Sequence, residues 1–190
     1  MGDGNILFAP GVEFFEDKHE YYYKGKKLSG VTGLIAKKLG LKMPEEFVGE
    51  HRDEGLHVHH AIQRWITTGN PESVHPGVKW LTEELHDTYN KLVDTPSTLF
   101  SEALVSDLKQ YASAVDIVAV LPNGVVQIYD IKKGVFKRDY VSWQLGIYKY
   151  FIETHTDYTV KDCTCACMKD QEMYPIFPKS KEDVEKLLYG

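Results

Sequence analysis

Residues 111–132 read Tyr111-Ala-Ser-Ala-Val-Asp116-Ile-Val-Ala-Val-Leu121-Pro-Asn-Gly124-Val-Val-Gln-Ile-Tyr-Asp130-Ile-Lys132, and this stretch decides the fold. Two runs rich in β-branched residues flank Pro122-Asn-Gly124, a composition suited to a tight turn, so Tyr111–Leu121 and Val125–Lys132 are expected to form an antiparallel pair. Three charged residues interrupt them. Asp130 and Lys132 are two apart and leave the same face of their strand. Pairing about the turn can bring Asp116 alongside Asp130. Charges in apolar strands are costly unless paired or bound to metal. Two converging carboxylates repel, and a divalent cation relieves that repulsion; oxygen ligands suit Mg²⁺, for which Mn²⁺ can substitute. A lysine on the same face can orient or deprotonate water and stabilise charge developing on phosphate. These are the parts that metal-assisted phosphodiester hydrolysis requires. The plainer alternative is a surface Asp130–Lys132 pair with Asp116 at a strand edge, and D-x-K alone is too short a pattern to choose between them.

Working outward, Thr98 to Val105 completes a three-strand meander. A helix from Tyr140 to Thr154 follows, then strands near Tyr158–Met168 and Met173–Ile176. A final helix is opened by Ser180, with Glu182 and Asp183 in its first turn. Upstream, Val12 to Gly25 reads as an aromatic hairpin turning near Asp17 and Lys18. Ser29 or Thr32 is expected to cap a short helix through Leu34, Ile35 and Leu39 that Gly40 ends. A longer helix is expected from Pro44 to about Thr67. Another runs from Pro76 to Val93, with Val78, Leu81, Leu85, Tyr89 and Leu92 on one face. This order implies an α/β fold with a central mixed sheet flanked by helices. A single domain over 1–190 is expected, with the hairpin and helices in 1–95 and the catalytic sheet core in 96–190.

The composition, 43% hydrophobic and 26% charged, is that of an average globular chain. No run of eighteen apolar residues exists, which argues against a transmembrane helix and a membrane role. The N-terminal residues lack the basic segment and apolar run of a secretory signal, so an intracellular, cytoplasmic location is expected. The net charge of −6 does not exclude nucleic acid, because binding depends on local positive potential rather than the sum. Lys24, Lys26 and Lys27, and Lys37, Lys38 and Lys42, read as solvated faces. Lys132, Lys133, Lys137 and Arg138 lie beside the acidic motif and point to phosphate contact. The three cysteines, Cys163, Cys165 and Cys167, alternate along one strand and read as buried free thiols.

The residues around the core motif resemble the PD-(D/E)XK nuclease superfamily, and within it exonucleases similar to the RecB nuclease domain and phage recombination exonucleases. Gly55-Leu-His-Val-His59 resembles that group's helical Gly-x-x-x-His motif. Ser101-Glu102 resembles its first acidic strand, and Ala114-Val-Asp116 its central metal-binding strand. Asp130-Ile-Lys132-Lys-Gly134 resembles the D-x-K element and Gln144-Leu-Gly-Ile-Tyr148 the Gln-x-x-x-Tyr helix. His19-Glu-Tyr21 and Gly30-Val-Thr32 are similar to the N-terminal segment of small phage members. None of these is specific alone; five in the family's order and spacing are. Two departures occur. Ala114 stands where the family usually has glycine, and the cysteines lack the upstream fourth member of the iron–sulfur subgroup, so no cluster is expected.

The resemblance implies a restriction-endonuclease-like core and a Mg²⁺-dependent deoxyribonuclease, exonucleolytic, acting in recombination, repair or replication in a bacterial or phage-infected cell. It implies that His59, Glu102, Asp116 and Asp130, with the backbone carbonyl of Ile131, hold the metal. Lys132 positions the attacking water, Gln144 orients it or the scissile phosphate, and the products carry a 5′-phosphate and a 3′-hydroxyl. Lys133, Lys137, Arg138 and Tyr148 are the expected nucleic-acid contacts; Tyr148 can stack on a base or pack in the core. DNA is the expected partner, with a single-strand annealing protein, a helicase or a ring-shaped oligomer implied by resemblance alone. His57 and His60 read as ordinary surface histidines, and no zinc motif is present. The competing readings are a structure-specific endonuclease and a non-catalytic nucleic-acid-binding module on the same fold.

Overall fold

The computed structural model describes residues 8–41, 50–90 and 98–190. Its strands are β1 (Val12–Phe15), β2 (Glu20–Tyr23), β3 (Lys26–Gly30), β4 (Thr98–Ser106), β5 (Tyr111–Val120), β6 (Val125–Lys132), β7 (Thr159–Cys167) and β8 (Glu172–Pro175). The helices are α1 (Val31–Lys38), α2 (Glu50–Thr68), α3 (Pro76–Asn90), α4 (Arg138–His155) and α5 (Lys181–Tyr189). The strands join in one sheet in the order β1-β2-β3-β5-β6-β7-β8, with β4 also paired to β5. The β3–β5 and β6–β7 pairs are parallel and the others antiparallel, so the sheet is mixed.

Alternation along the central strands sends side chains to two helical layers. Val118, Val126, Ile128, Cys163 and Cys165 meet residues of α1, α4 and α5, including Ile35, Phe151 and Val184. Ile117, Ala119, Tyr129, Ile131 and Ala166 meet α2 and α3 through Val58, Ile62, Leu81 and Leu85. The chain is therefore an α/β protein with a mixed sheet flanked by helices. Among the described residues no helix is long and apolar enough to cross a membrane.

The expected meander is present, with Asn123 and Gly124 at positive φ in the turn after β5. Ser180 caps α5 by accepting from the Asp183 N–H. The parts of the expected helices at 44–49 and 91–93 lie outside the described residues. One strand was not expected, and one expectation, the capping of the short helix, needs correcting. Lys26–Gly30 is a strand: Leu28 is its only buried residue, too little periodicity to announce one. Ser29 therefore pairs with Tyr111 rather than capping α1, whose N-cap is Gly30 in extended conformation with no side-chain cap; Thr32 lies inside the helix.

One feature of the sheet positions the site. On one edge of β5, β4 pairs along almost its whole length; on the other, β6 pairs only with Ile117–Val120 and β3 only with Tyr111 and Ala112. The sheet forks over residues 113–116. Asp116 stands in the mouth of that fork.

Candidate metal centre

The register across the fork lines up three acids. Ser101 pairs with Ile117 and Ala103 with Val115, which brackets Glu102 opposite Asp116. On the other side the ladder ends at Ile117 and Tyr129; one step further along the same register Asp116 faces Asp130. Glu102 has φ 49°, the left-handed region that a residue with a Cβ enters at a cost of about 1–2 kcal/mol.

Packing of Val58, Ala61 and Ile62 against the sheet fixes the rotation of α2 and delivers His59 to this point. His59 Nδ1 lies 3.3 Å from Glu102 Oε1 and 3.5 Å from Asp116 Oδ1. One ligand atom from each of His59, Glu102 and Asp116 lies within 4.8 Å of the others, the spread expected of groups around one ion. The side chains of His59 and Glu102 are about a third exposed, at 30% and 34%, so the group opens to solvent. Burial pushes the Asp116 carboxyl up and Glu102 adds to that, so it holds its proton more tightly than usual despite the pull of His59. Burial alone would lower the His59 imidazole, but the Asp116 and Glu102 carboxylates outweigh it and raise the ring to about 9. The cluster lacks positive charge and draws it from protons. Two carboxylates and an imidazole form a donor set that a hard divalent cation fits.

Asp130 belongs to a second, deeper group. It is 1% exposed, and its Oδ1 accepts from Lys132 Nζ at 2.9 Å. Lys132 Nζ also donates to Gln144 Oε1 at 3.4 Å. Burial pushes the Asp130 carboxyl up to about 6, against the pull of Lys132. The Lys132 ammonium is desolvated, yet Asp130 and Asp116 hold it well above its usual range. Lys132 is thus a cation at neutral pH, able to orient a water or a phosphate oxygen and unsuited to take a proton. Because ammonium has no acceptor, the Gln144 amide must present its oxygen to Lys132, which leaves Nε2 to donate to Tyr148 Oη at 2.8 Å.

Of the expected ligands, His59, Glu102 and Asp116 come together, while Asp130 faces Lys132 outside the three-residue cluster. Ile131 enters through its N–H, which donates to Asp116 Oδ2 at 2.6 Å. Tyr148 requires correction: at 2% exposure, with its hydroxyl accepting from Gln144 and Ser113, it offers no ring face to a base. Arg138 donates to the Pro175 carbonyl and lies over the Tyr174 ring. Lys137 is exposed at the N-cap of α4, and Lys133 is half-buried. The three cysteines are buried free thiols, with Cys165 Sγ 3.9 Å from Asp130 Oδ2.

Sequence reasoning missed two neighbours. Tyr21 of the hairpin is buried, and after burial itself the Glu102 carboxylate is the chief cause of its hydroxyl being raised, with Asp116 adding to it. Ser113, a polar residue three before Asp116 in an apolar strand, was the available signal for the contact with Tyr148. Compared with family models, with curated proteins and with solved structures, the chain has no match in any of the three.

Proposed function

We propose that this chain is a metal-dependent deoxyribonuclease of the PD-(D/E)XK type, with a restriction-endonuclease-like core, acting on DNA from strand ends. The observation that carries this reading is the convergence of His59, Glu102 and Asp116 within 4.8 Å, beside a buried Asp130–Lys132 pair at 2.9 Å. In this reading His59, Glu102 and Asp116 hold Mg²⁺ or Mn²⁺, with Asp130 completing the set by turning from Lys132. The cation, when bound, supplies the charge that acidifies a water and offsets the charge building on phosphate.

The remaining work belongs to the protein's own side chains. Lys132 keeps its proton, so it contributes a fixed positive charge and an N–H donor aimed at a water or a non-bridging phosphate oxygen. Gln144 restrains the ammonium through its amide oxygen, and the buried Tyr148 and Ser113 hydroxyls keep that amide from turning over. Asp116 links the cluster to the end of β6 through the Ile131 N–H, so cluster and lysine stay in fixed relation.

The test is digestion of linear double-stranded, linear single-stranded and covalently closed circular DNA with Mg²⁺, Mn²⁺ or EDTA. Loss of linear DNA alone, dependent on metal and absent in Lys132→Ala, is the expected result. Nicking of circles would replace the exonuclease by an endonuclease. No cleavage of any DNA in either metal would remove the nuclease reading in favour of a binding module.

A further inference from the structure

The β1–β2 hairpin meets the surroundings of the metal cluster through its turn and through its second strand. The turn reaches α2, where Glu16 Oε1 lies 3.2 Å from Nε2 of His60, the neighbour of His59. The strand carries Tyr21 into a small core with Leu28, Leu104 and Ala112, against which Ala114 packs. Leu104 follows Glu102 by two residues on β4, and Ala114 precedes Asp116 by two on β5. Tyr21 therefore shares a core with both strands that bring a carboxylate to the cluster. Its ring is held by neighbours on the hairpin: it stacks on Phe14 with centroids 4.8 Å apart, and His19 meets it edge-on at 5.7 Å.

That packing makes no use of the Tyr21 hydroxyl. Buried with the ring, at 3% exposure, the O–H needs an acceptor inside the protein. Ser113 lies beside it, and burial, then Glu102 and then Asp116 keep its proton in place. Ser113 has one hydroxyl proton, which it donates to Tyr148 Oη at 3.1 Å. Facing a spent donor and two carboxylates, the Tyr21 hydroxyl acts as the donor. Glu102 is the ligand that has most use for one. Its backbone sits in the left-handed region, its side chain is open to solvent, and its carboxylate meets the His59 ring at 3.3 Å. A carboxylate on so long a side chain keeps a ligand geometry when a further hydrogen bond restrains it.

We propose that Tyr21 is a positioning residue of the metal centre: its buried hydroxyl restrains the Glu102 carboxylate in the place from which it shares a cation with His59 and Asp116. In this role Tyr21 acts through Glu102 and touches neither the ion nor the DNA. The role rests on the reading of Glu102 as a metal ligand.

The test titrates Mn²⁺ into the full chain as wild type, Tyr21→Phe, Glu102→Ala and the double variant, with a melting curve for each. Phenylalanine keeps the ring and its stacking and removes only the hydroxyl. Tyr21→Phe should weaken Mn²⁺ binding by about 10- to 100-fold and raise by a similar factor the Mn²⁺ needed for half-maximal DNA cleavage. In the Glu102→Ala background the same change should alter Mn²⁺ affinity by no more than about twofold, because the contact it removes is already gone. A tyrosine that only fills the core would lower the melting temperature and leave Mn²⁺ affinity alone, or weaken it equally in both backgrounds; either result overturns the proposal. Weakened Mn²⁺ binding in a chain that cleaves no DNA keeps the role of Tyr21 and removes the nuclease reading. Metal-dependent cleavage with the same Mn²⁺ requirement in wild type and Tyr21→Phe does the reverse, and a wild type that binds no Mn²⁺ removes both.

Discussion

Two aspartates, one just before β5 and one in its middle, have contrasting surroundings. Asp107, just before the strand, is 2% exposed. Its Oδ1 accepts from the N–H groups of Lys109, Gln110 and Tyr111 at 2.8–2.9 Å, and its Oδ2 from Tyr189 Oη at 2.8 Å. Burial pushes this carboxyl up, but the three N–H groups prevail and hold it below its ordinary value. Asp116 has one backbone N–H and a nearby imidazole, faces Glu102, and is raised. A carboxylate whose lone pairs the protein fills with its own donors is an anchor. One left short of donors beside another carboxylate is a place that an external cation would fit.

If the contrast is right, substitution at the two aspartates should separate activity from stability. Asp116→Asn should lower metal-dependent cleavage by about 10³-fold while leaving thermal stability unchanged or higher, because a repulsion with Glu102 is removed. Paired cleavage assays and melting curves check this, and a stability loss as large as the activity loss would collapse the distinction. Asp107→Ala should do the reverse. Three N–H groups and a hydroxyl lose their acceptor, at a cost of about 3 kcal/mol, measured by urea unfolding, with cleavage retained where the variant stays folded.

The pH dependence sharpens the comparison. The folded-state pKa of Asp107 is depressed, so its contribution is present above the unfolded carboxyl value of about 3.9 and is lost as pH falls through the lower folded value. The stability gap between wild type and Asp107→Asn should therefore be constant near neutrality and narrow below about pH 4. Asp130 has the opposite sign. Raised to about 6, it makes the metal-free protein less stable as pH rises from the unfolded value towards 6, and Asp130→Asn should remove that slope. The smallest effect is expected at Tyr148→Phe, which leaves the Gln144 amide and the Ser113 hydroxyl short of a partner for about 1 kcal/mol. DNA affinity should not change, since the ring is buried.

Much of this was legible in the residues. The Pro122-Asn-Gly124 turn, the β-branched runs around it, the Ser180 cap and the helix bearing Gln144 follow from local pattern, and the structure has each. Asp116 was read from its place in an apolar strand, and His59 and Glu102 from motif resemblance; the sheet register sets Glu102 opposite Asp116, and the packing of α2 delivers His59 to them. Asp130 shows the limit. Its place beyond the end of the β5–β6 ladder follows from the fork where β3 takes over the edge of β5, a non-local pairing that no short window contains. The same holds for Tyr148, whose burial depends on Ser113 of a different element. The Asp107 anchor escaped notice because three of its four donors are backbone N–H groups, which every sequence has, and the fourth, the Tyr189 hydroxyl, is distant in the chain.

The most direct test of the metal centre is Mn²⁺ binding to the purified chain at neutral pH, followed by electron paramagnetic resonance for wild type, Asp116→Asn and Asp107→Asn. Saturable Mn²⁺ binding by wild type and Asp107→Asn, lost in Asp116→Asn, is the predicted result. Absence of saturable binding by wild type, or equal binding by all three proteins, would contradict a metal centre at His59, Glu102 and Asp116.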